Sequence, residues 1–337
     1  MNDFNNICIC GGSATGHVLS GYISHYNNAS VNILTSQPQR WKDTLTINLP
    51  DGGSVQGRLG IITDNPAHII PRSDIVILCL PGFAIRDTIL KIKPFLRPDT
   101  LVGSIVSSTG FFFEALDTLD NPLFGFQRVP FISRIKSYGS EANLMGFKNS
   151  LNIAVERYDN KHGLIDFLQS LFNVPVSLLE NYFEASFTNS NPILHTARLY
   201  SLFKDWHEGI FFERNIAFYE EWDNESSELL IKMDSEFFEV MSRLPVRKDY
   251  LPTLLDYYES HDAQSLTKKI SSIQGFKGIM SPMTEEEQGW VPDLKSRYFT
   301  EDFPYGLRLI FEKAKEYRIP TPHIDKVFYW GSNLIKR

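Results

Sequence analysis

Apolar residues in the first half of the chain fall in short continuous runs. Each run is closed by glycine, proline or hydroxyl residues and followed by a stretch with helical spacing. Ile7–Cys10 runs into Gly11-Gly12, and Ala14–Tyr26 then reads as a helix. Val31–Thr35 is a second run, and Asp74–Leu80 (DIVILCL) a third, closed by Pro81-Gly82 ahead of a helix over Ala84–Leu96. Leu101–Val106 leads into Ser107-Ser108-Thr109-Gly110 and a further helix. Runs that are apolar throughout are strands buried on both faces, and such strands alternating with helices build a doubly wound parallel sheet. The stretch Thr44–Thr63 alternates instead and carries Asp51-Gly52-Gly53, so an inserted hairpin is expected there.

Beyond about residue 178 the pattern changes to long amphipathic helices, expected over Ala197–Phe218, Glu225–Met241 and Tyr305–Tyr317. The strand-like Pro175–Leu179 marks the change. This gives an α/β domain over 1–178 and an all-α domain over 179–337. A chain of 337 residues is long enough for two cores.

Composition narrows the function classes. Hydrophobic residues make up 42% and charged residues 22%, as in ordinary globular proteins. Net charge is −7 and no basic stripe is visible, so nucleic acid is not an expected partner. No apolar stretch reaches membrane-helix length, and the N-terminus lacks a basic leader, so no membrane partner and a cytoplasmic setting are expected. Cys8, Cys10 and Cys79 all lie in apolar runs and read as small buried hydrophobes. No metal site is expected.

Gly11-Gly12-Ser13-Ala14-Thr15-Gly16-His17 joins the first strand to the first helix, where a doubly wound sheet binds a dinucleotide pyrophosphate. Gly11 permits the tight turn and Gly16 close helix–strand packing. Ser13 replaces the middle glycine of G-x-G-x-x-G, and its hydroxyl is suited to donate to a phosphate oxygen. A ligand-free tight turn is the plainer alternative. The second strand ends Thr35-Ser36-Gln37-Pro38-Gln39-Arg40 without an acid to bind a ribose 2′-hydroxyl. Thr35, Ser36 and Arg40 suit a 2′-phosphate, which favours NADP(H) over NAD(H). Leu80-Pro81 and Ser107-Ser108 end later strands at the same sheet edge and are expected along the cofactor crevice.

In the second half, Asn191-Pro192-Ile193-Leu194-His195 reads as a helix start, with Asn191 as the N-cap and Pro192 at the first helical position. His195 then sits one turn in, where the helix dipole favours the neutral ring, suited to accept a proton. A plain cap with a surface histidine is the rival reading. Ser296–Leu307 mixes charge, aromatics, proline and glycine before a helix that Thr300 or Asp302 is placed to cap.

These pieces together resemble the opine dehydrogenases. The glycine turn with His17 resembles their G-x-G-x-x-G-H start, and Pro38-Gln39-Arg40-Trp41 resembles the segment after their second strand. Asn191-Pro192-x-x-His195 looks like their catalytic-histidine helix. Arg297-Tyr298-x-x-Glu301-Asp302-x-Pro304-Tyr305-Gly306-Leu307 is similar to their C-terminal signature. The resemblance implies a Rossmann-type domain followed by a helical domain like the C-terminal domain of 6-phosphogluconate dehydrogenase, with the active site between them. It implies NAD(P)-dependent joining of an amino acid's amine to a 2-oxo acid, both small-molecule partners. His195 would be the acid–base group with Asp302 as its partner, Asn191 would help hold substrate, and Arg297 would bind a carboxylate. Thr196 stands where the family pattern has proline. A ketopantoate reductase or 3-hydroxy acid dehydrogenase of the same two-domain plan, and a catalytically silent NADP-binding protein, are the alternatives. Whether the chain forms a homodimer stays open.

Overall fold

A computed structural model describes residues 4–335. The chain divides between Thr188 and Asn189 into two compact units. The first carries β1 (Asn6–Cys10), α1 (Ala14–Tyr26), β2 (Ser30–Leu34), β3 (Thr44–Asn48), β4 (Ser54–Arg58), β5 (Ile62–Thr63), β6 (Ile75–Leu78), α2 (Gly82–Ile92), β7 (Leu101–Ser104) and α3 (Phe111–Thr118). It continues with β8 (Leu123–Phe126), β9 (Phe131–Ser137), β10 (Glu141–Phe147), β11 (Leu151–Glu156), α4 (Lys161–Phe172), β12 (Val176–Leu178) and α5 (Tyr182–Ser186).

The main sheet has the order β12-β11-β8-β7-β6-β1-β2-β5 and is parallel from β5 to β8. β8 and β11 meet antiparallel. Successive residues of one strand feed opposite cores. Ile7 and Ile9 join one cluster with Val18, Leu19 and Leu164, whereas Cys8 and Cys10 join the other with Ile85, Ile89 and Phe111. Both faces are therefore covered, which is why these strands read as unbroken apolar runs. All three cysteines are free and buried.

The hairpin expected at Thr44–Thr63 forms as β3 and β4, with Thr44 opposite Arg58. It is not a free insertion. β3 also pairs in parallel with β10, giving a second sheet of order β4-β3-β10-β9 that covers the outer side of α1. A Cβ on Gly21 would come within 2.6 Å of Ile47 Cγ1, and one on Gly57 within 2.3 Å of the Gly21 carbonyl oxygen. The helix thus lies between two sheets, and its residues from Gly16 to Ile23 are all buried. Ile62–Thr63, expected as the end of the hairpin, instead becomes the β5 edge of the main sheet.

The second unit contains α6 (Asn191–Phe203), α7 (Asn224–Met241), α8 (Leu254–Tyr257), α9 (Ala263–Ser272), α10 (Arg297–Thr300), α11 (Arg308–Glu316) and α12 (Pro322–Ile335), plus one hairpin of β13 (Met283–Glu286) and β14 (Gly289–Pro292). The unit boundary falls ten residues later than the 178/179 expected, because α5 packs against β8, β11 and α3 of the first unit. The helix expected over Ala197–Phe218 spans Asn191–Phe203 instead. Gly209 at φ +94° breaks the continuation, and Phe212 pairs with Trp290 through two 2.8 Å backbone bonds. Among the described residues, no helix is long and apolar enough to cross a membrane.

Candidate active site

The glycine turn is built by tight contacts with the end of β6. Gly11 has φ +112°, open to glycine, and a Cβ there would lie 2.6 Å from Leu80 Cδ2 and 2.7 Å from the Cys79 carbonyl oxygen. A Cβ on Gly16 would meet the Gly11 carbonyl oxygen at 2.9 Å. Leu80 is thereby brought beside the turn. Ser13 caps α1, its Oγ accepting from Gly16 N–H at 3.1 Å and donating to the Cys79 carbonyl at 2.9 Å. The hydroxyl proton expected to reach a phosphate is therefore committed within the protein. The first-turn N–H groups of Ala14 and Thr15 have no helical carbonyl before them, which leaves the start of α1 suited to an anion. The turn, its left-handed glycine and this helix start fit a nicotinamide dinucleotide.

His17 is a structural residue. Its Nδ1–H donates to the Ser13 carbonyl at 2.9 Å, and its Nε2 accepts from Gly139 N–H at 2.8 Å. The fully buried ring stacks on Trp41 at 4.1 Å. Burial pushes its pKa down, consistent with a neutral ring holding both bonds. Gly139, at φ +74°, lies so close to Arg40 that a Cβ would be 2.0 Å from the Arg40 carbonyl oxygen. The β9–β10 turn thus fixes the loop after β2. Arg40 places its guanidinium 4.2 Å over the Tyr138 ring and donates to Gln37 Oε1 at 2.7 Å. Thr35 is buried at the strand end and Ser36 exposed beside it. Ser107 departs from expectation. It is fully buried with its Oγ unpartnered, packed where a Cβ on Gly125 would come within 2.3 Å, and so does not line an open crevice.

In the second unit, His195 and Asp302 meet. His195 Nδ1 lies 2.8 Å from Asp302 Oδ2, a contact spanning 107 positions of sequence. Asn191 is not the N-cap expected. It is the first residue of α6, and Asn189 Oδ1 accepts its N–H at 3.1 Å. Pro192 keeps its place in the first turn. Against Pro192 packs a π-turn over Phe303–Leu307, and a Cβ on Gly306 would collide with Pro192 Cγ at 2.5 Å. Gly306 is what lets the turn bring Asp302 to His195. Asp302 makes no side-chain cap, because its carboxylate faces the imidazole instead.

Three further residues complete the site, of which Tyr219 and Arg198 carried no sequence signal and Tyr298 lay in the C-terminal signature without an assigned role. Tyr219 hydroxyl lies 2.9 Å from His195 Nε2. Tyr298 packs against the imidazole with its ring tilted 43° at a centroid distance of 4.6 Å. Arg198, one turn after His195 and fully buried, donates to the Phe218 carbonyl at 3.0 Å, the Glu221 carbonyl at 2.5 Å and Asp223 Oδ2 at 2.6 Å. Arg297 precedes Tyr298 on α10 and is exposed, with no carboxylate paired to it among the described residues. Asn191 is half-buried one turn before His195.

Residues 178–335 match the family model described as the NAD/NADP octopine/nopaline dehydrogenase alpha-helical domain. The chain is 27% identical to octopine dehydrogenase from Mizuhopecten yessoensis, over 98% of this chain and 90% of that one. A solved octopine dehydrogenase with NADH and L-arginine superimposes with a TM-score of 0.86 at 25% identity, covering 98% of this chain and 89% of that one. Residues 178–335 thus carry the alpha-helical domain of that family, and the chain is similar to opine dehydrogenases over nearly its whole length. It is an oxidoreductase that uses a nicotinamide cofactor. The two-domain plan is shared more widely. A ketopantoate reductase from Ralstonia eutropha matches with a TM-score of 0.67 at 14% identity, covering 98% of each chain, and that likeness concerns the fold alone.

Proposed function

We propose that His195 is the acid–base group of the opine-type condensation, with Asp302 as its partner, Arg297 and Asn191 as substrate-holding residues and NADP(H) as the preferred cofactor. The observation that carries this reading is the 2.8 Å contact between His195 Nδ1 and Asp302 Oδ2. A carboxylate on Nδ1 holds the proton there, leaves Nε2 as the acceptor, and stabilises the imidazolium when it forms. Condensation needs that capacity twice. An amino acid's ammonium must lose a proton before its nitrogen attacks the oxo carbon, and the resulting carbinolamine hydroxyl must gain one to leave as water.

An opine carries two carboxylates, so the substrate-binding surface needs cationic donors. Arg297, exposed and without a carboxylate partner among the described residues, offers a planar fork for one of them. The half-buried Asn191 side chain, one turn before His195, supplies further hydrogen bonds to substrate. The cofactor, when bound, supplies the reducing equivalent for the C=N bond, while the protein supplies position and proton transfer. The Gly11, Gly12, Ser13, Ala14, Thr15 and Gly16 turn would hold its pyrophosphate, with Leu80 and Pro81 beside it.

NADP(H) is favoured because Thr35-Ser36-Gln37-Pro38-Gln39-Arg40 offers hydroxyls and a guanidinium and no carboxylate. Arg40 is held over Tyr138, ready for a 2′-phosphate. Three buried free thiols suit the reducing cytoplasm, where we place the enzyme.

The test is oxidation of NADPH and NADH with a panel of amino acids plus pyruvate or 2-oxoglutarate, for wild type and His195→Ala. Turnover that requires both substrates and disappears in the variant is expected. Oxidation driven by an oxo acid alone would overturn the reading.

A further inference from the structure

Both nitrogens of His195 are engaged. Nδ1 faces Asp302, so with the carboxylate ionised the ring proton sits on Nδ1 and Nε2 is left as an acceptor. The group donating to Nε2 is the Tyr219 hydroxyl at 2.9 Å. His195 is 9% exposed and Tyr219 5%. No proton reaches Nε2 from a substrate unless the phenol moves aside or carries it.

The phenol is not placed to move. Its ring stacks on Phe276 at 4.1 Å and lies parallel to Trp222 at 6.2 Å, with Phe218 edge-on at 4.9 Å. The backbone that carries it is pinned on both sides. Phe218 N–H donates to the Ile279 carbonyl at 2.8 Å, and the carbonyls of Phe218 and Glu221 are both held by Arg198. The Glu221 carboxylate is gripped by both terminal nitrogens of Arg214, which holds its pKa down at about 2.

Resting on the acid–base role given to His195, we infer that Tyr219 is a catalytic proton relay, its hydroxyl passing protons between the substrate and His195 Nε2. In the forward direction the substrate ammonium N–H bond breaks as a proton moves to the Tyr219 oxygen. The phenol's own O–H bond breaks as its proton moves to Nε2. The amine becomes neutral, and the positive charge arrives on the imidazole beside Asp302. On dehydration the path reverses. Imidazolium returns its proton to the phenol oxygen, the phenol proton goes to the carbinolamine hydroxyl, and the C–O electron pair leaves with water while the nitrogen lone pair forms the C=N bond. The phenol ends each step as it began. Burial, with Tyr298, Tyr258 and Asp302 nearby, pushes its pKa far up, so the two transfers are concerted and no phenolate forms. Arg198 is a positioning residue in this scheme, since it acts only through the backbone that carries Tyr219.

The experiment compares wild type, Tyr219→Phe and His195→Ala on the amino acid and 2-oxo acid that the panel identifies. Phenylalanine keeps the stacked ring and removes only the hydroxyl. The relay predicts a fall in kcat of about 100-fold or more, with both KM values within a few-fold and with cofactor binding and Tm unchanged. It also predicts that rates of the wild type in mixed H2O and D2O bow with isotope fraction, as for two protons in flight. Loss of turnover in His195→Ala with full kcat in Tyr219→Phe, or a straight wild-type isotope plot, overturns the relay and leaves the role of His195 standing. Turnover that survives His195→Ala overturns both.

Discussion

Ser13 Oγ donates to the carbonyl oxygen of Cys79 at 2.9 Å, tying the glycine turn after β1 to the end of β6 across 66 positions of sequence. The same oxygen accepts from Gly16 N–H and caps α1. One hydroxyl thus serves as a helix cap and as a staple between two strand ends, which explains why serine is accommodated where the dinucleotide fingerprint has glycine.

Ser13→Ala removes both bonds without enlarging the side chain. The expected cost is about 1–2 kcal/mol of folding stability, the sum of a lost cap and a lost neutral hydrogen bond. Urea denaturation checks it. A loss well under about 0.5 kcal/mol, the low end for a lost cap, would mean that the staple contributes nothing.

Asp302→Asn keeps the shape of the contact with His195 Nδ1 but removes the charge that favours imidazolium. The expected result is a fall in kcat of roughly 1000-fold with cofactor affinity unchanged. Steady-state kinetics alongside fluorescence titration of NADPH separate the two. An unchanged kcat would remove Asp302 from the proton-transfer machinery.

Arg40→Ala tests the cofactor assignment. Loss of a charge-assisted pairing with a 2′-phosphate is expected to raise KM for NADPH by about 10–100-fold and to leave KM for NADH nearly unchanged. An equal shift for both cofactors would show that Arg40 does not read the 2′ position.

Asp234 gives a pH-dependent prediction. Its carboxylate accepts the N–H of Leu254 at 2.9 Å but is buried, and burial raises its pKa to about 6. The unfolded chain ionises this group near pH 4, so folding stability falls as pH rises from about 4 to 6 and stays lowered above that, by about 3 kcal/mol at most. Asp234→Asn retains the acceptor and has nothing to ionise. The variant is expected to melt above wild type at pH 8, with the gap closing by pH 4. Parallel melting curves at both pH values would show that the carboxylate is ionised without cost.

Much of the first unit was legible because its signals are local. The unbroken run of Asp74–Leu80 reports burial on two faces, and Gly11 at φ +112° reports a turn that few other residues adopt. The limits of α1 coincide with those expected, since Ser13 and the residues after it start a helix without outside help. Locally, His195 and Asp302 each lay only in a short segment of unusual composition beside a helix start, and their pairing was implied by the resemblance to the opine dehydrogenases. The end of α6 was not legible. Residues 204–218 retain apolar spacing, and what stops the helix at Phe203 is Gly209 together with a pairing of Phe212 to Trp290, 78 positions away.

What the sequence by itself determined is the run of strands, turns and helices of a dinucleotide-binding domain, the change to a helical second unit, and the residue types able to carry proton transfer. Those features arise from backbone preference and burial period, which act over a few residues. The tertiary structure alone decided that α1 is enclosed by a second sheet, that His17 is spent on the β9–β10 turn, that Gly306 packs against Pro192 so that Asp302 reaches His195, and that Tyr219 closes on Nε2. Each of these is a contact between segments far apart in the chain. Such contacts are selected by packing and by the cost of leaving buried polar groups unpaired, and they leave no periodic mark on either segment alone.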